Sequence, residues 1–479
     1  MERGSIISVI VMLLLLSPTI PMIVAHPAQE GPIVKRVSLS FEQPIVLRNV
    51  IRSGYDLIKI EGTELYLVPG APMIPVKVLS IKIPEHLELE RVDYKITKMK
   101  LKGKFKIIPT PQPREVPLRE RFKRGEVFVE DPRIYQSNKY YPERMIEYHV
   151  KNGIDLATLK RTKYLIIRIF PIRYLPTAGE VEYISSMDVS ITYKQTQEKL
   201  QEALSPQETD LIIITPDSLE SYALQLAEYK NSTGIVTRVV TTEWIYTNYP
   251  GTDNQEKIRN FISDSMSPFV ILFGDSDQIP PRYAYVNDLY VETDLYYADL
   301  DGDWDTDNDG KYGEVEDQID GYPDVLLGRL PVSNANEAQM VIDKILNYSP
   351  ENFWLMKMLL LGTVTFGDPH FPEGEIIKDY VEYNYLWDNF SYTKLYEGIG
   401  NLSVSTALSE INKGYGFVNF AGHGASSGWW FGPEGGFLSS DDVSTLTNGY
   451  KLPIVSTMAC STADWADTDV SIAEMFLLA

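Results

Sequence analysis

From Gln29 to Lys194 apolar and polar residues alternate in long runs, at Ile74–Ile83, Leu87–Leu101, Tyr164–Ile172 and Val181–Tyr193. A period of two turns one face of each run toward a core and the other toward water, which predicts the strands of an antiparallel β-sandwich. Prolines between Ile108 and Pro117, with a basic stretch from Arg119 to Arg124, interrupt the pattern with a loop. The polar segment Gln195–Asp210 has little to bury and reads as an exposed linker open to cleavage. After it the pattern changes. Short, almost wholly apolar runs at Leu211–Ile214, Val236–Val240, Phe269–Phe273, Met358–Leu361, Phe417–Phe420 and Ile454–Met458 alternate with amphipathic stretches near Leu219–Lys230, Gln255–Ser265 and Ala335–Tyr348. Strands buried on both faces and separated by helices predict a mostly parallel, doubly wound α/β sheet. The predicted organisation is a leader at 1–25, a β-rich domain at 26–195, a linker at 196–210 and an α/β domain at 211–479 with an acidic insertion at 294–320.

The leader rests on Arg3, an apolar run from Ile6 to Leu16 broken only by Ser8, then Ser17, Pro18, Pro21 and Ala25. That run is about half of the roughly 20 residues needed to span a bilayer, so it reads as a secretory signal, with an uncleaved anchor as the alternative. No later segment is apolar enough to span, so the mature chain is expected outside the cell or on its surface without a stable membrane span. A chain of 479 residues, 44% hydrophobic and 23% charged, is expected to fold as two or three globular domains. Its formal charge of -22 argues against nucleic-acid partners and for solubility or cation binding. Cys460 is the single cysteine, so no internal disulfide exists and the thiol is either a small core residue or kept for chemistry.

The neighbours of Cys460 favour chemistry. Ligands gather beyond the carboxyl ends of strands in such sheets. His423 lies just past Phe420, and Cys460 just past Met458. Strands consecutive in sequence are often neighbours in space, so imidazole and thiol are expected to meet. Thiolate attack on a carbonyl needs a nucleophile at an open strand end, an imidazole to move protons and backbone N–H groups for the oxyanion. In Asn419-Phe420-Ala421-Gly422-His423-Gly424-Ala425 the glycines let backbone approach a substrate closely.

A strand ending in Gly-His-Gly, then one ending in Ala-Cys, resembles the gingipain family of caspase-like cysteine peptidases. Phe269–Asp275, ending in Gly-Asp, and Pro323-Asp324-Val325-Leu326-Leu327-Gly328-Arg329 fit the same likeness, and the β-rich front half resembles that family's propeptide. The resemblance implies Cys460 as nucleophile, His423 as general acid/base, an oxyanion hole from the N–H groups of Gly424 and Cys460, and Asp324 as the acid orienting the histidine. It implies protein or peptide substrates, selectivity for Arg or Lys at P1 with Glu337 as a weak pocket candidate, and inhibition by the chain's own prodomain. Relatives continue beyond the point corresponding to Ala479, so the α/β domain is expected to be truncated at its C-terminus.

The acidic insertion carries Asp299, Asp301, Asp303, Asp305, Asp307 and Asp309, which repel one another unless a cation sits among them. Asp305, Asp307, Asp309, Gly310 and Glu316 fall at positions 1, 3, 5, 6 and 12 of an EF-hand loop. Leu295–Tyr297 and Gly321–Val325 read as strand or loop, so the expectation is a structural Ca2+ loop without the EF-hand helix pair, with a solvated acidic loop as the alternative. Asn231, Asn347, Asn389 and Asn401 begin glycosylation sequons, which matter only in a cell that glycosylates. Trp429 and Trp430 are expected either to line a pocket or to pack the core, and His370 is the one rival histidine. Two other readings stay open: a catalytically inactive calcium-binding adhesion protein, and a thiol transpeptidase that attaches proteins to the cell surface.

Overall fold

The structure is a computed structural model and describes residues 33–49, 51–111, 128–195, 209–286, 288–314, 317, 319, 321–349, 352–365, 372–386, 390–466 and 470–479. The predicted leader, most of the linker, Arg119–Arg124, Glu316, His370 and Asn389 lie outside the described residues.

The first domain begins with β1 (Ile33–Ser40), β2 (Ile45–Arg48), β3 (Asp56–Lys59), β4 (Glu64–Tyr66), β5 (Ile74–Ile83) and β6 (Leu87–Lys100). After the one-turn helix α1 (Pro132–Tyr135) come β7 (Ile146–Asp155), β8 (Lys160–Ile169), β9 (Ile172–Leu175) and β10 (Glu180–Gln195). One antiparallel sheet runs β1-β10-β6 with β9 also on β10, and another runs β4-β5-β8-β7. Alternation does what the sequence pattern requires. Leu165, Ile167 and Ile169 of β8 point inward with Ile81 and Ile83 of β5, and meet Val92, Val189 and Ile191 from the other sheet in one core. Each such side chain contributes about 1.5–3 kcal/mol by leaving water.

The second half opens with β11 (Leu211–Thr215), α2 (Glu220–Ser232), β12 (Thr237–Thr241), α3 (Thr242–Asn248), α4 (Asn254–Ser265) and β13 (Phe269–Phe273). A hairpin of β14 (Arg282–Val286) and β15 (Leu289–Thr293), a one-turn helix α5 (Leu295–Ala298) and the acidic insertion lead to β16 (Leu326–Leu330) and α6 (Ala335–Asn347). Strands β12-β11-β13-β16 pair in parallel. Every residue of β11 is buried because helices cover both faces. Ile212 and Ile214 pack with Ile258, Phe261 and Ile262 of α4, while Leu211 and Ile213 pack with Ala223 and Leu226 of α2 and Val341 of α6.

A second parallel sheet follows, built from α7 (Asn352–Leu355), β17 (Lys357–Gly362), α8 (Glu373–Tyr385), β18 (Ser391–Tyr396), α9 (Val404–Ile411) and β19 (Phe417–Ala421). Three short strands, β20 (His423–Ala425), β21 (Gly428–Trp430) and β22 (Phe437–Ser439), precede α10 (Ser440–Val443), β23 (Ile454–Met458) and α11 (Ile472–Leu478). The order is β18-β17-β19-β23. The expected single doubly wound sheet is therefore two four-stranded sheets, each with its own core. Apolar runs report that a strand is covered; they do not report which strands adjoin. Leu295–Tyr297, expected as strand or loop, lies in the single helical turn of α5. No described helix is long and apolar enough to cross a membrane.

Candidate active site

Strands β19 and β23 pair in parallel from Phe417 opposite Ile454 to Ala421 opposite Met458, and the Gly422 N–H donates to the Met458 carbonyl at 3.2 Å. Both chains thus leave the sheet at the same end, side by side. Past β19, His423 begins a strand that pairs antiparallel with Trp430 in β21. Past β23, Ser461 adopts φ 57°. Few side-chain-bearing residues take that left-handed conformation, and here it reverses the chain and leaves Cys460 exposed.

Gly424 locks the two segments together. A Cβ added there would lie 2.7 Å from the Cys460 carbonyl oxygen, 2.6 Å from Thr462 Cγ2 and 2.8 Å from Ala459 Cβ. Only glycine lets the His423 strand come so close to the Cys460 turn. The Ile472 N–H donates to Ser426 at 2.7 Å and the Ala473 N–H to Thr462 at 3.2 Å, so the start of α11 bridges both segments.

His423 is half-buried, and its Nε2 lies 2.6 Å from the Thr365 carbonyl oxygen. A carbonyl only accepts, so Nε2 carries a proton and donates. In the neutral ring Nδ1 then holds the lone pair, which is the arrangement needed to take a thiol proton and return it to a leaving amine. Among the described residues, a carboxylate that interacts with this imidazole is Glu397, just beyond β18; burial holds its carboxyl above the usual range, although the Val364 N–H and the His423 charge pull the other way. Sequence reasoning missed Glu397: it stands one residue past the carboxyl end of β18, whose mixed sequence Ser391–Tyr396 is not one of the apolar runs that marked the strands before His423 and Cys460.

Asp324 does not sit with His423. It precedes β16 at that strand's amino end, where its Oδ2 accepts the N–H groups of Leu300 (2.6 Å) and Asp301 (3.0 Å). Its ligand-capable oxygen lies within 4.8 Å of those of Asp299 and Asp301. Asp299 and Asp324 are both buried, and Asp324 Oδ1 is buried with no hydrogen-bond partner. Burial, then the Asp301 carboxylate, push the Asp324 carboxyl up to about 6. The strand that follows Asp324, β16, belongs to the first sheet, whereas His423 follows β19 of the second.

Asp305, Asp307 and Asp309 also converge within 4.8 Å, on a loop that turns through Gly310 at φ +83°. The Asp309 N–H donates to both Asp305 Oδ1 and Asp307 Oδ1, and Lys311 Nζ approaches Asp309 Oδ2 at 2.8 Å. Asp303 accepts from the Asp305 N–H at 3.3 Å. Trp429 is core: it is 1% exposed and stacks on Phe420 with centroids 4.7 Å apart. Glu337 accepts from Ser333 N at 2.8 Å and Asn334 Nδ2 at 2.8 Å, so it serves the start of α6.

Comparison with known sequences matches residues 204–479 to peptidase family C25 and residues 38–211 to the C25 propeptide. A protein of Archaeoglobus fulgidus, described only as uncharacterized, is 26% identical over 56% of this chain and 68% of its own. Lys-gingipain of Porphyromonas gingivalis is 28% identical over 44% of this chain, but the match spans only 11% of that protein. Among solved structures, the Arg-specific cysteine proteinase gingipain R overlaps 58% of this chain and 60% of its own at 22% identity and a TM-score of 0.44. The adjoining strand ends that carry the thiol and imidazole lie inside the first matched span, and the two matches together cover both domains: the chain belongs to peptidase family C25 and is a cysteine-type peptidase with its propeptide.

Proposed function

We propose that the protein is the precursor of an exported endopeptidase in which the Cys460 thiolate attacks a peptide carbonyl. His423 takes the thiol proton through Nδ1 and gives it to the leaving amine; water then releases the acyl group. The N–H groups of Gly424 and Cys460 are the oxyanion donors in this reading. The observation that carries it is the contact of the Gly424 backbone with the Cys460 turn, because it brings both candidate donors and the nucleophile's segment to one place. Incubation with a positional peptide library beside Cys460→Ala tests it. Cleavage products from the native chain alone support hydrolysis, amine-ligated products indicate a transpeptidase, and equal inactivity of both proteins, together with no labelling of Cys460 by a peptidyl electrophile, rejects the enzyme.

The selectivity for basic P1 residues is an extension from the family and from the relative named for Lys. The β-rich domain is the intramolecular inhibitor in this reading. Its described contacts with the α/β domain include Lys151 Nζ on Asp301 Oδ1 (3.2 Å) and Arg161 on the carbonyls of Ile262 (3.0 Å) and Ser263 (3.1 Å).

Calcium belongs to the same proposal. The donor sets suit it: three carboxylates at Asp299, Asp301 and Asp324, including one buried oxygen without a hydrogen-bond partner, and three more at Asp305, Asp307 and Asp309. A bound cation would neutralise the buried carboxylates and fix the insertion against β16. Its part is structural, and no step of peptide hydrolysis passes through it.

A further inference from the structure

The geometry points to Glu397 as the positioning residue of the catalytic histidine, acting through the Thr365 carbonyl and through its own charge. The inference rests on the peptidase reading and deepens it. Glu397 Oε2 accepts the Val364 N–H at 2.8 Å, and the Glu397 N–H donates to the Gly362 carbonyl at 3.1 Å. The carboxylate therefore grips the chain as it leaves β17. The next residue, Thr365, presents the carbonyl that holds His423 Nε2 at 2.6 Å. One side chain thus sets the peptide that sets the ring.

Gly432 supplies an independent sign that a carboxylate is meant to lie there. It follows β21, the strand paired with His423, and has φ +87°, a conformation that favours glycine. A Cβ on Gly432 would lie 2.1 Å from Glu397 Oε1. The backbone at Gly432 thus leaves room for the carboxylate, which is partly buried rather than left to solvent. Half-buried among these groups, it interacts with the His423 charge through a medium less screening than water. Its role is to hold Nε2 as the donor and to favour the imidazolium that forms when Cys460 gives up its proton.

Cys460 is the only thiol, so its alkylation by iodoacetamide reads the dyad without a peptide substrate and without removal of the β-rich domain. The experiment follows the alkylation rate of the full-length chain against pH by intact mass, in native protein, Glu397→Gln, Glu397→Ala, Gly432→Ala and His423→Ala, with circular dichroism as the folding control. Glutamine keeps an acceptor for the Val364 N–H and loses the charge. The expected result is that the alkaline limb of the alkylation profile moves to lower pH in Glu397→Gln, by roughly half a unit or more, and that Glu397→Ala also loses about tenfold in rate near neutrality. Gly432→Ala, which displaces the carboxylate without removing it, is expected to shift the limb in the same direction. Folded Glu397→Gln and Gly432→Ala with the native pH limb, and folded Glu397→Ala within twofold of the native rate, would overturn the assignment. If His423→Ala also keeps the native profile, it is the dyad itself that fails.

Discussion

The two parallel sheets of the α/β region are built from the same kind of sequence and finish differently. In the first, β11 is buried at every residue and Arg329 of β16 forks onto both oxygens of Asp294 at 2.7 Å. In the second, β23 stands at the edge with alternate residues exposed, including Ile454 at 60% and Met458 at 56%. The thiol is on the open sheet and the paired carboxylates are beside the closed one. A nucleophile has to be reached by a chain-shaped substrate, so an edge strand is where one is useful; a cluster of like charges has to be caged, so a covered sheet suits it. The difference predicts that perturbing the second sheet removes catalysis while perturbing the insertion of the first removes stability.

Gly424→Ala is expected to have the largest effect of the substitutions that keep both reacting side chains. The added methyl meets the Cys460 carbonyl and Thr462, so the His423 strand must shift away and the proposed oxyanion donors part. Loss of one such donor costs about 100- to 1,000-fold in kcat, and a loss of that order with little change in KM is expected from steady-state cleavage of a peptide substrate. A variant that folds and turns over at the native rate would remove Gly424 from the site.

Calcium dependence should divide the sheets next. Chelation of a loaded protein is expected to lower its melting temperature by a few degrees, at about 2–4 °C per kcal/mol of binding free energy for a domain of this size. Asp324→Asn should lose more of the calcium response than Asp307→Asn, because Asp324 and Asp299 are buried whereas Asp307 is exposed. Differential scanning calorimetry with and without calcium distinguishes them. Equal responses in native protein and both variants would mean that the acidic insertion needs no cation.

These contrasts show what was legible in the chain. Strand existence was plain, since apolar runs such as Leu211–Ile214 and Ile454–Met458 are strands or pieces of helix and flanking turns decide between the two; burial was not, because β11 is covered on both faces as expected whereas Ile454–Met458, read the same way, lies at a sheet edge with alternate residues exposed. The placement of His423 and Cys460 followed from a local rule about strand ends. The third group was not legible, because its identity depends on adjacency: β18 lies beside β17, so the end of β18 delivers Glu397 to the exit of β17, while β16 carries Asp324 into a different sheet. Nor did any residue announce Ser461, whose left-handed backbone exposes the thiol, since serine has no preference for that conformation.

The smallest expected effect concerns Lys378, the buried cation of the open sheet. It is 1% exposed on α8, bonded to Asn419 Oδ1, and Asn419 in turn donates to the Ser456 carbonyl at 3.3 Å, so it braces β19 to β23 two residues below their tips. Burial pulls its ammonium down to about 8. The unfolded chain holds the proton up to about 10.4. Between these values the unfolded state binds more protons than the folded one, so this lysine makes stability rise with pH from about 8 to about 10, by an amount on the order of 1–3 kcal/mol. Lys378→Met deletes the titration and should flatten that rise when urea midpoints are compared across the interval, whatever it does to stability at neutral pH. An identical slope in the variant would mean that the ammonium is solvated in the native state and that the open sheet is wet as far down as Asn419.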